Sequence, residues 1–81
     1  MNLDDARFLR TLGSRIRERR LVRGLTQEQL GELCELHRTF IGSVERGERN
    51  LSILNLRLIA RILRVPLSEL LAESRGSGHN V

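Results

Sequence analysis

The sequence predicts an all-α fold of five short helices, and three observations carry that prediction. Apolar residues recur at helical spacing along most of the chain, Gly and Pro fall between the periodic stretches, and no stretch alternates apolar and polar residues as a half-buried strand would. The length leaves room for one folded unit, expected over residues 1–73, and a Gly- and Ser-rich tail at 74–81 expected to be disordered. A chain this small buries only about 60 to 65% of its unfolded surface, so its core has to be economical.

The first helix is expected over about residues 5–23, where Phe8, Leu9, Leu12, Ile16 and Leu21 recur among Arg and Glu, with Gly24 closing it. Thr26 and Gln29 form a capping box, which starts a second helix at Gln27 carrying Leu30, Leu33 and Cys34 inward. A third helix follows over 38–46, with Ile41 and Val44 on one side and Gly47 as its stop. Ser52 is the expected N-cap of a fourth helix that runs to residue 63 or 64. Pro66 suits the first turn of a fifth that reaches about residue 73, since its missing N–H costs nothing there.

Composition narrows the function classes. The basic residues are all Arg, 14 of them against 10 acids, for a formal net charge of +4, which favours a polyanionic partner. With two Phe and no Trp or Tyr, the chain lacks a platform for stacking single-stranded bases. One cysteine excludes a disulfide framework, and with no long apolar run and no basic-then-apolar leader the expected compartment is the cytoplasm, away from membranes. No metal-ligand spacing, phosphate-cradling glycine loop or nucleophile motif is present, so neither enzymatic activity nor a cofactor or metal is expected. Cys34 reads as a small core hydrophobe, and His37 and His79 as isolated surface or capping residues.

The second and third helices, joined by the short link through Glu35, Leu36 and His37, have the spacing of a helix-turn-helix, whose second helix can enter a DNA major groove. Leu30, Cys34, Leu36, Ile41 and Val44 are its expected inward anchors. Gly31 and Gly42 each cost roughly 1 kcal/mol against Ala inside a helix, which argues that they serve close packing.

On three stretches the chain resembles the lambda-repressor-like, Xre/Cro helix-turn-helix family: Thr26-Gln27-Glu28-Gln29-Leu30, then Ile41-x-x-Val44-Glu45-Arg46-Gly47, then Ile53-x-x-Leu56-x-x-Ile59-Ala60-x-x-Leu63-x-Val65. Within that family, the segments 37–41 and 45–51 look especially like the controller proteins of restriction-modification systems. The resemblance covers about residues 9–72 and implies a compact five-helix domain. It also implies a transcriptional regulator that binds double-stranded DNA, with RNA polymerase as a further partner and both activation and repression as outcomes.

Roles for particular residues follow from the resemblance. Gln27 is placed at a phosphate, where the positive end of the second helix also favours an anion. Arg38 is placed at a guanine edge and Thr39 and Ser43 at base edges, thymine methyls or backbone, with His37 beside them. Arg46, Arg49, Asn50 and Ser52 are placed in a phosphate-clamping loop, Arg49 foremost. Arg20 and Glu45 match a buried structural ion pair. Glu35 stands where the family usually has Gly, so a strained positive φ is expected there. Phe40 fits either under its helix or against the sugar-phosphate wall.

The fourth helix carries more apolar surface than one core requires. At about 100° per residue, Ile53, Leu56, Ile59, Ala60 and Leu63 fill one arc and Leu54, Leu58 and Ile62 a second, with Arg57, Arg61 and Arg64 between them. The second arc, extended by Leu51 and Leu67, is the expected interface of a symmetric homodimer on a pseudo-palindromic operator. Two other readings stand beside this one: an antitoxin that folds over a toxin partner, and a protein-interaction module whose third helix docks a peptide, for which Glu28, Glu32 and Glu35 supply a mixed-charge surface.

Overall fold

A computed structural model describes residues 1–73 as five helices: α1 Leu3–Val22, α2 Gln27–Cys34, α3 Arg38–Glu45, α4 Ile53–Leu63 and α5 Leu67–Leu71. The tail expected at 74–81 lies outside the described residues. α1 starts two residues earlier than periodicity suggests, because Asn2 caps it: Oδ1 accepts the Asp5 N–H at 2.7 Å. Asp4 and Asp5 in the first turn complement the helix dipole. The α2 capping box forms in full, with Thr26 and Gln29 bonded to each other's backbone at 3.0 and 2.8 Å.

Helices α1 to α4 end the same way. In each, a residue two or three past the last helical residue donates its N–H to a carbonyl five residues back: Leu25 to Arg20, Leu36 to Gly31, Glu48 to Ser43 and Val65 to Ala60. This closure needs one residue in the left-handed region just before the donor. Gly24 and Gly47 fill that position after α1 and α3, at φ 70° and 76°, whereas Glu35 and Arg64 are forced into it at 58° and 62°. The Glu35 conformation matches the expectation, and the Arg64 one adds a second strained stop. α5 is shorter than expected, since Pro66 is its N-cap and the backbone is already extended at Ala72.

The core is formed by Leu9, Leu12 and Ile16 of α1, Leu30 and Cys34 of α2, Ile41 and Val44 of α3, Leu56, Ile59, Ala60 and Leu63 of α4, and Leu70 of α5. Burial also pushes the Cys34 thiol above its ordinary value, which suits an inert packing residue. Two inward expectations, Leu33 and Ile53, are corrected, and Leu21 of the first helix's apolar pattern is also open. Leu21, Leu33 and Ile53 are 52%, 52% and 60% exposed. Leu33 precedes buried Cys34 and faces away from it, while Ile53 sits at the first turn of α4, where the helix has not yet reached the core.

Backbone proximity sets the packing of α1 on α3. A Cβ at Gly13 would lie 2.4 Å from the Val44 carbonyl oxygen and 2.6 Å from that of Glu45, so only glycine fits the crossing. Gly31 is similarly tight against the Leu36 carbonyl oxygen at 2.4 Å, which compresses the turn after α2. α1 also reaches the ends of other helices through arginines four residues apart. Arg15 donates to the Leu70 and Ala72 carbonyls, Arg19 pairs with Glu69, and Arg23 Nε donates to the Ile62 carbonyl at 3.3 Å. The Arg15 and Arg23 contacts satisfy carbonyls at the C-terminal ends of α5 and α4.

Candidate nucleic-acid interface

α2 and α3 pack closely across the turn at Glu35, and α3 is held from its inner side. Ile41 and Val44 enter the core, and at the C-terminal end Glu45 receives a forked contact from Arg20. Nε donates to Oε2 at 2.7 Å and Nη2 to Oε1 at 3.0 Å, with the two side chains 8% and 2% exposed. Arg20 Nη1 further donates to the Leu25 carbonyl at 2.8 Å, and Gln27 Nε2 donates to Glu45 Oε1 at 3.1 Å. One buried carboxylate thus ties together α1, the turn after it, the start of α2 and the end of α3. Two donors meet Oε1 and one meets Oε2, and such pairing is what makes a buried charge tolerable.

The outer face of α3 is open at its front. His37 caps the helix, its Nδ1 accepting the Thr39 N–H at 3.1 Å, which leaves the ring proton on Nε2, facing away from the helix end. Arg38 and Thr39 are exposed, and among the described residues Arg38 has no hydrogen-bond or ion-pair partner. Along the adjoining groove stand Glu28, Glu32 and Glu35, so the positive front of α3 borders an acidic edge of α2.

Towards the rear of that face the arrangement changes. Thr39 is exposed with its hydroxyl 2.8 Å from His37 Nδ1, whereas Ser43 is 9% exposed and its hydroxyl donates to the Phe40 carbonyl at 2.7 Å. The same oxygen accepts Arg49 Nε at 3.3 Å, and the Arg49 guanidinium lies 5.4 Å from the centre of the Phe40 ring. Phe40 itself is half-buried against the core, so it packs under its helix and carries a cation on its ring. Arg46 pairs with Glu48 at 3.1 Å on the open surface, a contact that water screens. Asn50 is exposed beside Met1, Asp5 and Phe8 at the start of α1. Ser52 caps α4, its Oγ accepting the Asn55 N–H at 3.1 Å, which leaves its own proton free to donate.

Among the described residues no group of His, Cys, Asp and Glu is placed to hold a metal ion, and no helix is long and apolar enough to cross a membrane.

Residues 16–70 match the helix-turn-helix family model. Over 60 residues the chain is 45% identical to the control protein C.SmaI of Serratia marcescens, spanning 74% of this chain and 71% of that protein. This chain is a helix-turn-helix protein of the restriction-modification controller family. A second controller-family relative, C.BamHI of Bacillus amyloliquefaciens, is 42% identical over 60 residues, spanning 73% and 74% of the two chains. The crystal structure of the controller protein C.AhdI from Aeromonas hydrophila superposes with a TM-score of 0.78 at 42% identity, covering 83% of this chain and 97% of that one. The family consists of DNA-binding transcription regulators and not enzymes.

On α4 of this controller-family fold the arc expected to face the core is buried, apart from Ile53. Leu56, Ile59, Ala60 and Leu63 are buried, and Leu54 is 69% exposed. Leu51, Leu58, Ile62 and Leu67 are partly buried and pack against the core, with Arg57, Arg61 and Arg64 open to solvent. The sequence reading brought the ion pair and the exposed front of α3 into view. It missed the Gln27–Glu45 bond and the Arg49 stack, because both depend on how the turn after α2 and the loop after Gly47 return to the helices.

Proposed function

We propose that this protein is a homodimeric controller that occupies a pseudo-palindromic operator near restriction-modification genes, represses or activates transcription from it, and works in the cytoplasm. The observation that carries the reading is the unpartnered Arg38 at the front of α3, on a helix whose inner side is locked by the Arg20–Glu45 pair. A guanidinium offered on a rigid helix reaches the O6 and N7 edge of guanine through two bonds, worth about 1–3 kcal/mol of discrimination. Thr39, beside it, contacts base edges or thymine methyls.

Around this centre the backbone contacts need only charge or a donor. Gln27 keeps one amide N–H beyond its bond to Glu45 and sits at the N-terminus of α2, where an anion is favoured. His37 offers Nε2–H, Ser52 its hydroxyl proton, and Arg46, Arg49 and Asn50 line the loop between them. The α4 residues Leu54, Leu58 and Ile62, with Leu51 and Leu67, pair with the same residues of a second copy. A twofold pair that sets its α3 helices about 34 Å apart meets successive major grooves on one face of the duplex. RNA polymerase is the partner when the bound dimer activates. Footprinting of the DNA upstream of the gene tests the reading. Two protected half-sites one helical turn apart are expected, and absence of protection at concentrations that saturate a dimer contradicts it.

A further inference from the structure

Ser43 lies on the helix the proposed function assigns to the major groove, at a position where a small hydroxyl ordinarily suggests a base contact. Its geometry argues otherwise. The side chain is 9% exposed, its proton is donated to the Phe40 carbonyl at 2.7 Å, and its remaining exposed lone pair accepts Arg49 Nε at 3.3 Å. The Arg49 guanidinium is at the same time stacked 5.4 Å above the Phe40 ring. A long, rotamer-rich side chain on an exposed loop is therefore fixed at one edge by a hydroxyl and on one face by a ring. Among the described residues its Nη groups bond to nothing. A planar fork held in this way suits a phosphate, which takes paired N–H donors.

We propose that Ser43 and Phe40 are positioning residues that hold Arg49 as a preformed clamp for a backbone phosphodiester of duplex DNA, and that Ser43 does not itself read a base. This rests on the DNA-binding reading above. Fixing the arginine before binding removes the ordering loss that a free side chain suffers on contact, an effect that amounts to about three- to tenfold in affinity. Because phosphates are the same at every base pair, the gain is independent of DNA sequence.

The test measures binding to two duplexes across a salt series: one selected by the wild-type protein from a random library, and one of mixed sequence. Arg49→Ala is expected to weaken binding to both and to lower the salt slope by about one per contact. Ser43→Ala, Phe40→Leu and Arg49→Lys, which keeps the charge but loses the Nε donor and the planar stack, are expected each to weaken binding about three- to tenfold. They should leave the salt slope and the base preference unchanged. In an Arg49→Ala background, Ser43→Ala should have no further effect. Circular dichroism confirms that each variant is folded, and Phe40→Leu together with Arg49→Lys carries the test if Ser43→Ala is not. The inference is overturned if Ser43→Ala changes preference at one base pair, tightens binding, or costs as much without Arg49 as with it, while the wild type still binds. A wild-type protein that binds neither duplex overturns the DNA-binding reading and this inference with it.

Discussion

Arg20 and Glu45 carry full opposite charges in a space nearly closed to solvent, at side-chain exposures of 8% and 2%. Such a pair adds little net stability over a well-packed apolar pair, but breaking it leaves the surviving charge stranded. Glu45→Gln is therefore expected to cost about 3–5 kcal/mol, a large share of the roughly 5–15 kcal/mol that holds a small domain together. Urea titration followed by circular dichroism measures it, and a loss below about 1 kcal/mol would show the carboxylate to be hydrated. Gly13 makes an equally sharp case by sterics alone. Gly13→Ala inserts a methyl 2.4 Å from a backbone oxygen that cannot rotate away, so α1 and α3 have to separate. We expect a loss of about 2 kcal/mol or more, although Ala is the better helix former by roughly 1 kcal/mol. A more stable variant would contradict the crossing geometry.

At the scale of the helix, the four identical C-terminal closures make a direct comparison possible. Two use glycine in the left-handed region and two use Glu35 and Arg64, which carry a Cβ penalty there of about 1 kcal/mol. Arg64→Gly is expected to stabilise the protein by up to about 1 kcal/mol, or about 4–8 °C in melting temperature for a domain of this size. A lower melting temperature would mean that the Arg64 side chain contributes more elsewhere than its backbone costs. Where the elements begin and end was readable wherever a cap is written in local residues, as with Thr26 and Gln29 or Ser52. The start of α1 lies ahead of the apolar pattern because Asn2 caps it, and although α4 ends where expected, arginine gives no local sign of the left-handed turn at Arg64. Leu21 and Leu33 misled because helical spacing marks a side but not how far the neighbouring helix extends along it. For the candidate site, the exposure of Arg38 and Thr39 at the front of α3 is legible from the sequence. The contacts of Ser43 and Phe40 with Arg49 are not, since they depend on Arg49 folding back from a loop six residues beyond Ser43.

For the molecule as a whole, the proposed function turns on two surfaces: the open front of α3 and the partly exposed apolar residues of α4. Among the latter, Leu54 is 69% exposed, so changing it leaves the core intact. Leu54→Glu is expected to give a folded monomer in sedimentation equilibrium, because two carboxylates brought together across a twofold axis lose their hydration without gaining a partner. Binding to a two-half-site duplex should fall by at least tenfold, as the second half-site no longer adds to the first. A stable dimer in this variant would move the interface away from α4.

The claim on which the rest depends is that the front of α3 reads bases, and selection from a random duplex library with wild-type protein and with Arg38→Ala tests it most directly. The account predicts that the wild type enriches a pseudo-palindrome and that Arg38→Ala loses preference at one position in each half-site, while the other positions are retained. An identical motif from both proteins, or no motif from the wild type, would contradict it.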